Sequence, residues 1–161
     1  MGDLIIRTYQ SGDKDKVKDL YVLASVQSEI GYREGPWYKD FDDIGSFYLK
    51  GGDFLVGLID DELVTIVGLE KISDTEGHIR RMRVHPEHRR KGYAQKILSE
   101  LENSARQKNF KELRLRTSTQ QLMAQGLYEK NGYTKMQTEK EFYSEGGGNT
   151  FEVIWYRKEL H

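Results

Sequence analysis

The chain has no cysteine among its 161 residues. That absence removes disulfides, cysteine-based metal sites and a thiol nucleophile together, and it fits a protein that never needed oxidative stapling. Neither sign of charge prevails. There are 25 lysines and arginines against 26 acidic residues, a formal net charge of −1, so no global field points to nucleic acid or to an anionic membrane surface. Any basic patch is therefore local. No apolar run approaches the roughly 18 residues of a membrane helix, and the opening "MGDLIIRTYQ" has neither a basic start nor an apolar core. The expectation is a soluble protein with a cytoplasmic address. Gly2 does not create a myristoylation signal, because Ile6 stands where the signal needs serine or threonine.

The length suits one compact domain that buries about two-thirds of the surface its unfolded form exposes. Hydrophobic spacing divides it into alternating strands and helices. "DLIIRTY" is a β-branched run, and Val17, Leu20, Tyr21, Ala24 and Ile30 fall at helical spacing, predicting a helix over 13–30. Trp37, Phe41, Ile44 and Tyr48 repeat the pattern over 37–50, closed by Gly51 and Gly52. "FLVGLI" and "LVTIVGLE" read as a hairpin about Asp60-Asp61-Glu62, and "GHIRRMRV" is a third strand beside it. Ala94, Ile97, Leu98, Leu101 and Ala105 mark the next helix, and "ELRLRT" alternates as a strand does. Ser118 or Thr119 offers a cap for a helix whose apolar face is Met123, Ala124, Leu127 and Tyr128, ended by Asn131-Gly132. "YTKMQTE" and "FEVIWYRKEL" supply two closing strands around the glycine-rich "SEGGGNT".

The chemistry concentrates in "VHPEHRRKGYAQKI", Val84 to Ile97. A strand leads into a loop carrying Arg89, Arg90, Lys91 and Gly92, and a helix begins at about Gly92. The first N–H groups of a helix lack intrahelical partners, and with the positive end of the helix dipole they attract phosphate, to which glycine gives the backbone close access. The same residues also suit a solvated basic turn or a local nucleic-acid patch. Six of the twelve residues 80–91 are arginine or lysine. No spread-out basic face or nucleic-acid motif accompanies them, so no nucleic-acid partner is expected.

Arg89-x-x-Gly92-x-Ala94 matches the Arg/Gln-x-x-Gly-x-Gly/Ala pattern of the acyl-CoA pyrophosphate loop in the GNAT superfamily of N-acetyltransferases. "QQLMAQGLYEKNGY" is similar to that family's later N/Q-x-x-A-x-x-L-Y-E-K-x-G-F/Y segment at the expected downstream distance. The order of elements also agrees, and the resemblance covers nearly the whole chain. It implies a single N-acetyltransferase domain over 1–161, of α/β (α+β) class, with a mixed, mostly antiparallel sheet of about seven strands flanked by about four helices. It further implies acetyl-CoA as cosubstrate, an amine acceptor, no metal and no membrane partner, and it allows a homodimer. Walker and Rossmann glycine patterns are absent.

The resemblance also carries roles. Arg89, Arg90, Lys91, Gly92, Tyr93 and Ala94 surround the pyrophosphate. Met82, Arg83 and Val84 lie on the strand whose backbone holds the thioester carbonyl and the pantetheine amide. A fixed N–H at Met82 would stabilise charge building on that carbonyl oxygen. Tyr128 stands where many relatives place a tyrosine that protonates the departing thiolate, a task suited to a phenol of reference pKa about 10. Spacing alone also allows Tyr128 to be packing. His78 occupies the position four before Met82 where relatives often carry glutamate; it is one candidate base, and Glu70 is the other. Gln121 replaces an asparagine that contacts the pantetheine arm, and it is equally placed for helix capping.

Lack of cysteine excludes an acetyl-cysteine enzyme and favours direct transfer in a ternary complex. Glu34, Asp40, Asp42 and Asp43 surround the aromatic segment at 37–50, where the family forms its acceptor cleft. They would suit a cationic amine, or be the solvated side of an amphipathic helix. Two other classes remain open from the sequence: a regulatory module that binds acyl-CoA without turnover, and an RNA-associated protein using 80–91.

Overall fold

The computed structural model describes residues 2–26, 36–143 and 151–161. Among them eight strands form one sheet: β1 (Ile5–Thr8), β2 (Asp53–Ile59), β3 (Glu62–Lys71), β4 (Glu76–Val84), β5 (Glu112–Ser118), β6 (Thr134–Lys135), β7 (Glu141–Tyr143) and β8 (Phe151–Glu159). Their order is β1-β2-β3-β4-β5-β8-β6, with β7 also on β8. Four α-helices accompany them: α1 (Lys14–Val26), α2 (Ile44–Tyr48), α3 (Tyr93–Gln107) and α4 (Leu122–Lys130). The expected mixed α/β, mostly antiparallel architecture is present, with eight strands instead of about seven.

Two departures from regular pairing shape the sheet. β4 and β5 are its one parallel pair among the described residues, and they match only over Glu76↔Glu112, Gly77↔Leu113 and His78↔Arg114. Beyond that point β4 stays with β3 and β5 with β8, so the two strands separate. The second departure lies on the same strand. β3 and β4 pair at Ile66↔Arg83 and again at Gly68↔Arg80, so Arg81 and Met82 together oppose Val67. This is a β-bulge, and Arg81 takes its left-handed conformation at φ +62°.

Alternation along the strands feeds two cores. Val67, Leu69, Ile79, Leu113 and Leu115 meet the α3 face built from Ile97, Leu98, Leu101 and Ala105. Phe54, Val56 and Ile66 meet Val17, Leu20 and Tyr21 of α1 together with Phe41, Ile44 and Tyr48. Successive side chains point to opposite faces of a strand, so β2 is buried on both sides and reads as a continuous apolar run. Each fully buried side chain of this kind contributes about 1.5–3 kcal/mol.

The helix expected over 13–30 is α1, introduced by a 3₁₀ turn at Ser11–Asp13. Asp13 accepts the Gln10 N–H at 2.8 Å and both Arg7 Nη donors; Ile30 lies outside the described residues. The single helix expected over 37–50 is instead a 3₁₀ stretch, Pro36–Asp42, followed by the short α2. Asp43 causes the break: its carboxylate accepts the Ser46 N–H at 3.0 Å and the Ser46 hydroxyl at 2.7 Å, which starts a new helix. The buried stripe of Phe41, Ile44 and Tyr48 survives the break.

At the other end, the strand expected in "YTKMQTE" shrinks to β6. The segment 141–143 pairs with β8 as a further strand that alternation did not reveal. "SEGGGNT" falls outside the described residues. Met123 departs from the expected apolar face of α4: it is 72% exposed, and Gln125 takes the inward position with its amide donating to the Ser118 carbonyl at 2.9 Å. No helix among the described residues is long and apolar enough to cross a membrane.

Candidate active site

The separation of β4 from β5 opens a cavity of about 110 Å³. β4 contributes Ile79 to Arg83, β5 contributes Leu115, Arg116 and Thr117, α1 contributes Tyr21, and the α4 segment contributes Gln121, Ala124 and Tyr128. Its two faces differ because strand side chains alternate. Ile79 and Leu115 belong to the core under α3. Arg80 points the other way, its guanidinium 5.1 Å from the Phe47 ring of α2, and Arg116 lies 5.9 Å from the Trp155 ring.

The bulge is fixed from behind by a buried ion pair. Arg81 donates from Nε to Asp40 Oδ2 at 3.0 Å and from Nη2 to Asp40 Oδ1 at 2.9 Å, and from Nη1 to the Tyr21 hydroxyl at 2.9 Å. Burial pushes the Asp40 carboxyl up, but the Arg81 bonds and charge, with the Tyr48 hydroxyl, outweigh it and hold Asp40 below the usual carboxylate range. Asp40 is the counter-ion of Arg81 and is buried, so it is neither a free acid for a cationic amine nor a solvated side chain of the segment. Asp43 caps α2, Asp42 is exposed, and Glu34 lies outside the described residues.

Tyr128 is buried on α4, its ring 5.8 Å from that of Tyr133 and 6.1 Å from that of Tyr156. Its hydroxyl has no hydrogen-bond partner among the described residues, and the side chain borders the cavity. Burial raises its pKa to about 12, against the opposing pull of the Arg83 charge. It is a phenol that keeps its proton and has a donor to spare. Met82 lines the same cavity, and its carbonyl accepts from Arg83 Nη1 at 2.8 Å.

β4 ends at Val84, in register with Thr65. A 3₁₀ turn at Pro86–His88 leads to Arg89, then Arg90 at φ +64° and Gly92 at φ +80°, and α3 starts at Tyr93. Nothing lies within 4 Å of where a Cβ on Gly92 would sit. Arg89, Arg90 and Lys91 are exposed, and none is ion-paired among the described residues. A turn with two left-handed positions, open space at its glycine, three unanswered cations and a helix start is suited to a pyrophosphate. Tyr93 and Ala94 form the first turn of α3, half-buried beside the loop. The arrangement fits the diphosphate end of acetyl-CoA.

Gln121 serves the turn before α4: its amide oxygen accepts from Thr117 Oγ1 at 2.9 Å and from the Ser118 N–H at 3.2 Å, while it also lines the cavity. Ser118 Oγ accepts the Gln120 N–H at 3.2 Å instead of capping α4 directly. The two candidate bases lie apart from the cavity lining. His78 is half-buried, its Nε2 3.1 Å from Glu76 Oε2 and its ring 5.5 Å from that of Trp155. Burial lowers its pKa below the ordinary imidazole value, although Glu76 and Glu70 pull upward. Glu70 pairs opposite His78 in the sheet and accepts from Arg80 Nη1 at 3.2 Å. Among the described residues no group of three histidine or acidic side chains would hold a metal.

Sequence reasoning did not single out Arg80, Arg116, Tyr21 or Thr117. The leucine–arginine alternation of "ELRLRT" held the signal for Arg116, since it puts arginine on the face opposite the α3 core. The left-handed Arg81 left no signal, because arginine rarely takes positive φ.

Residues 17–133 match the Acetyltransferase (GNAT) family. That span includes the splayed strands, the basic loop and α4, and the chain belongs to this family. Among similar proteins, human N-acetyltransferase 8 is 30% identical over 125 residues, 73% of this chain and 50% of that one. The chain thus spans half the length of that relative. A GNAT-family acetyltransferase of Staphylococcus aureus Mu50 superimposes with a TM-score of 0.82 at 17% identity, covering 99% of this chain and 100% of the other. A GNAT-family acetyltransferase of Elizabethkingia anophelis, solved with acetyl-CoA bound, gives 0.72 at 19% identity, covering 99% and 100%. At such identities these structures establish the shared fold.

Proposed function

We propose that the protein transfers the acetyl group of acetyl-CoA to the primary amine of a small molecule or peptide, by direct attack with both substrates bound. The observation that carries this reading is Tyr128: a buried, protonated phenol whose hydroxyl is unpartnered among the described residues, facing the cavity where β4 leaves β5.

The family relationship and the acetyl-CoA-bound Elizabethkingia relative support acetyl-CoA as the donor. Arg89, Arg90 and Lys91, with the backbone from Gly92 to Ala94, would hold the diphosphate, and Val84 and Gln121 would flank the pantetheine arm. Acetyl-CoA supplies an activated thioester. The amine nitrogen forms a bond to the acetyl carbon as the carbon–sulfur bond breaks. The Met82 N–H, at the bulge of β4, would face the carbonyl oxygen as charge builds there. Tyr128 would give its proton to the departing sulfur. The ammonium proton of the acceptor leaves through His78 or Glu70, reached by water, since neither lines the cavity.

The test is CoA release from acetyl-CoA, read with a thiol-reactive dye across amino acids, polyamines, aminoglycosides and peptides with free N-termini. The chain has no cysteine, so it adds no thiol signal of its own. Amine-dependent release is the expected result. Tight acetyl-CoA binding with no release for any acceptor would overturn the catalytic reading in favour of an acyl-CoA-binding regulatory module.

A further inference from the structure

Among the described residues, twelve line the cavity between β4 and β5; four of these are arginines and none is acidic. Positive charge in this lining that no carboxylate answers suits an acceptor that carries its own anion.

The arginines differ in how their charge is answered. Arg80 has Glu70 at 3.2 Å, Arg81 has Asp40 at 2.9 Å, and Arg116 has Glu141 at 3.2 Å. Arg83 has no carboxylate among the described residues. It donates from Nη1 to the Met82 carbonyl at 2.8 Å and from Nη2 to the Tyr21 hydroxyl at 3.1 Å, and it lies 4.6 Å over the Tyr21 ring. These are neutral acceptors. A half-buried guanidinium with donors left over and no counter-ion is a binding group for a carboxylate, which its planar fork engages through two parallel bonds.

Position decides which substrate brings that carboxylate. The basic loop opens α3, and α3 packs on the sheet face that holds Ile79 and Leu115. Arg80 and Arg116 lie on the opposite face, beside Phe47 and Trp155, and Arg83 reaches to Tyr21 of α1 on that same face. Acetyl-CoA held by the α3 loop approaches from one side, and the arginines face whatever enters from the other. We infer that the acceptor is an amine bearing a carboxylate close to the reacting nitrogen, such as an α-amino acid, with Arg83 as the group that binds the carboxylate. This rests on reading the cleft as an acetyl-transfer site, and it names the class of acceptor.

The experiment compares matched acceptors: each α-amino acid, its α-amide and its decarboxylated amine, assayed by CoA release. The amide is the less basic amine and so offers more free nucleophile at neutral pH, which biases the comparison against the inference. The acid is expected to exceed both partners in kcat/KM by about 10- to 100-fold, the size of a lost pair of charge-assisted hydrogen bonds. Arg83→Gln should bring the acid-to-amide ratio towards one, and Arg83→Lys should keep part of it, with an unchanged melting temperature showing that each variant is folded. Amides or simple amines turned over as well as acids, or a ratio that Arg83→Gln leaves intact, would overturn the inference while leaving acetyl transfer standing. If no acceptor is turned over, acetyl transfer itself is the reading that fails. The carboxylate site is then judged by calorimetry on the CoA-loaded protein: an N-acetylamino acid binding more tightly than its amide sustains it, and equal or absent binding overturns it.

Discussion

Arg81 and Asp40 stand 41 positions apart in the chain and meet through two hydrogen bonds, tying the 3₁₀ segment before α2 to the bulge of β4. The pair is buried, and its geometry makes the bulge a fixed feature of the sheet. Removing one partner strands the other charge in the interior. Asp40→Ala is expected to cost about 3–5 kcal/mol, measured by urea unfolding, and to lower kcat as the Met82 backbone loses its support. The pH dependence has a definite sign. Asp40 titrates below its unfolded value near 3.9, so its contribution is complete above that value and is lost as pH falls through the folded one. Asp40→Asn should flatten the acid limb of the stability curve.

Tyr128 allows packing and chemistry to be separated. Tyr128→Phe keeps the ring against Tyr133 and Tyr156 and removes only the hydroxyl. The expected outcome is a fall in kcat of about 100-fold or more with unchanged stability and little change in the KM for acetyl-CoA. Because burial raises the phenol to about 12, the native enzyme should show no loss of kcat from this group up to about pH 10. Full turnover in the phenylalanine variant would leave Tyr128 as packing alone.

Gly92 is left-handed, and the space where its Cβ would sit is empty. An alanine there meets no neighbour, so the cost is conformational, about 1–2 kcal/mol, together with a methyl group in the place proposed for the diphosphate. Gly92→Ala should raise the KM for acetyl-CoA about tenfold or more while kcat changes little. Lys91→Ala should weaken acetyl-CoA binding most at low salt, as exposed charge pairs do. A Gly92→Ala enzyme with native KM would move the diphosphate elsewhere.

What the sequence disclosed follows how local each signal is. The basic loop and the "LYEKNG" segment are short, contiguous and built on turn and capping chemistry, so Gly92 and Tyr128 were both visible and both fall where the loop and cleft form. The α3 and β5 patterns were equally legible, since one apolar face repeats over several turns or alternate residues. The bulge was not, because it is a mismatch in pairing between β3 and β4 that neither strand shows alone. The aromatic stripe over 37–50 correctly marked Phe41, Ile44 and Tyr48 as buried but concealed the break at Asp43, where one capping carboxylate overrides helical spacing. The acids of that segment could be read as an acceptor site or as a solvated helix face; Asp40 is neither, because Arg81, 41 residues away, takes it as its partner.

The pH profile identifies the base. Burial holds His78 below the ordinary imidazole value despite Glu76 and Glu70 nearby, so the ring is neutral at physiological pH and able to accept a proton. An essential neutral His78 gives kcat/KM an acidic limb centred below about 6.5, and activity falls as protonation removes the acceptor. His78→Ala should abolish that limb and lower the plateau. Glu70 makes a separate prediction, because its carboxylate is already engaged by Arg80 at 3.2 Å. If Glu70 is the base, Glu70→Gln removes the limb and His78→Ala leaves it in place. A limb surviving both substitutions would assign proton removal to water, with the free-amine fraction of the acceptor setting the profile.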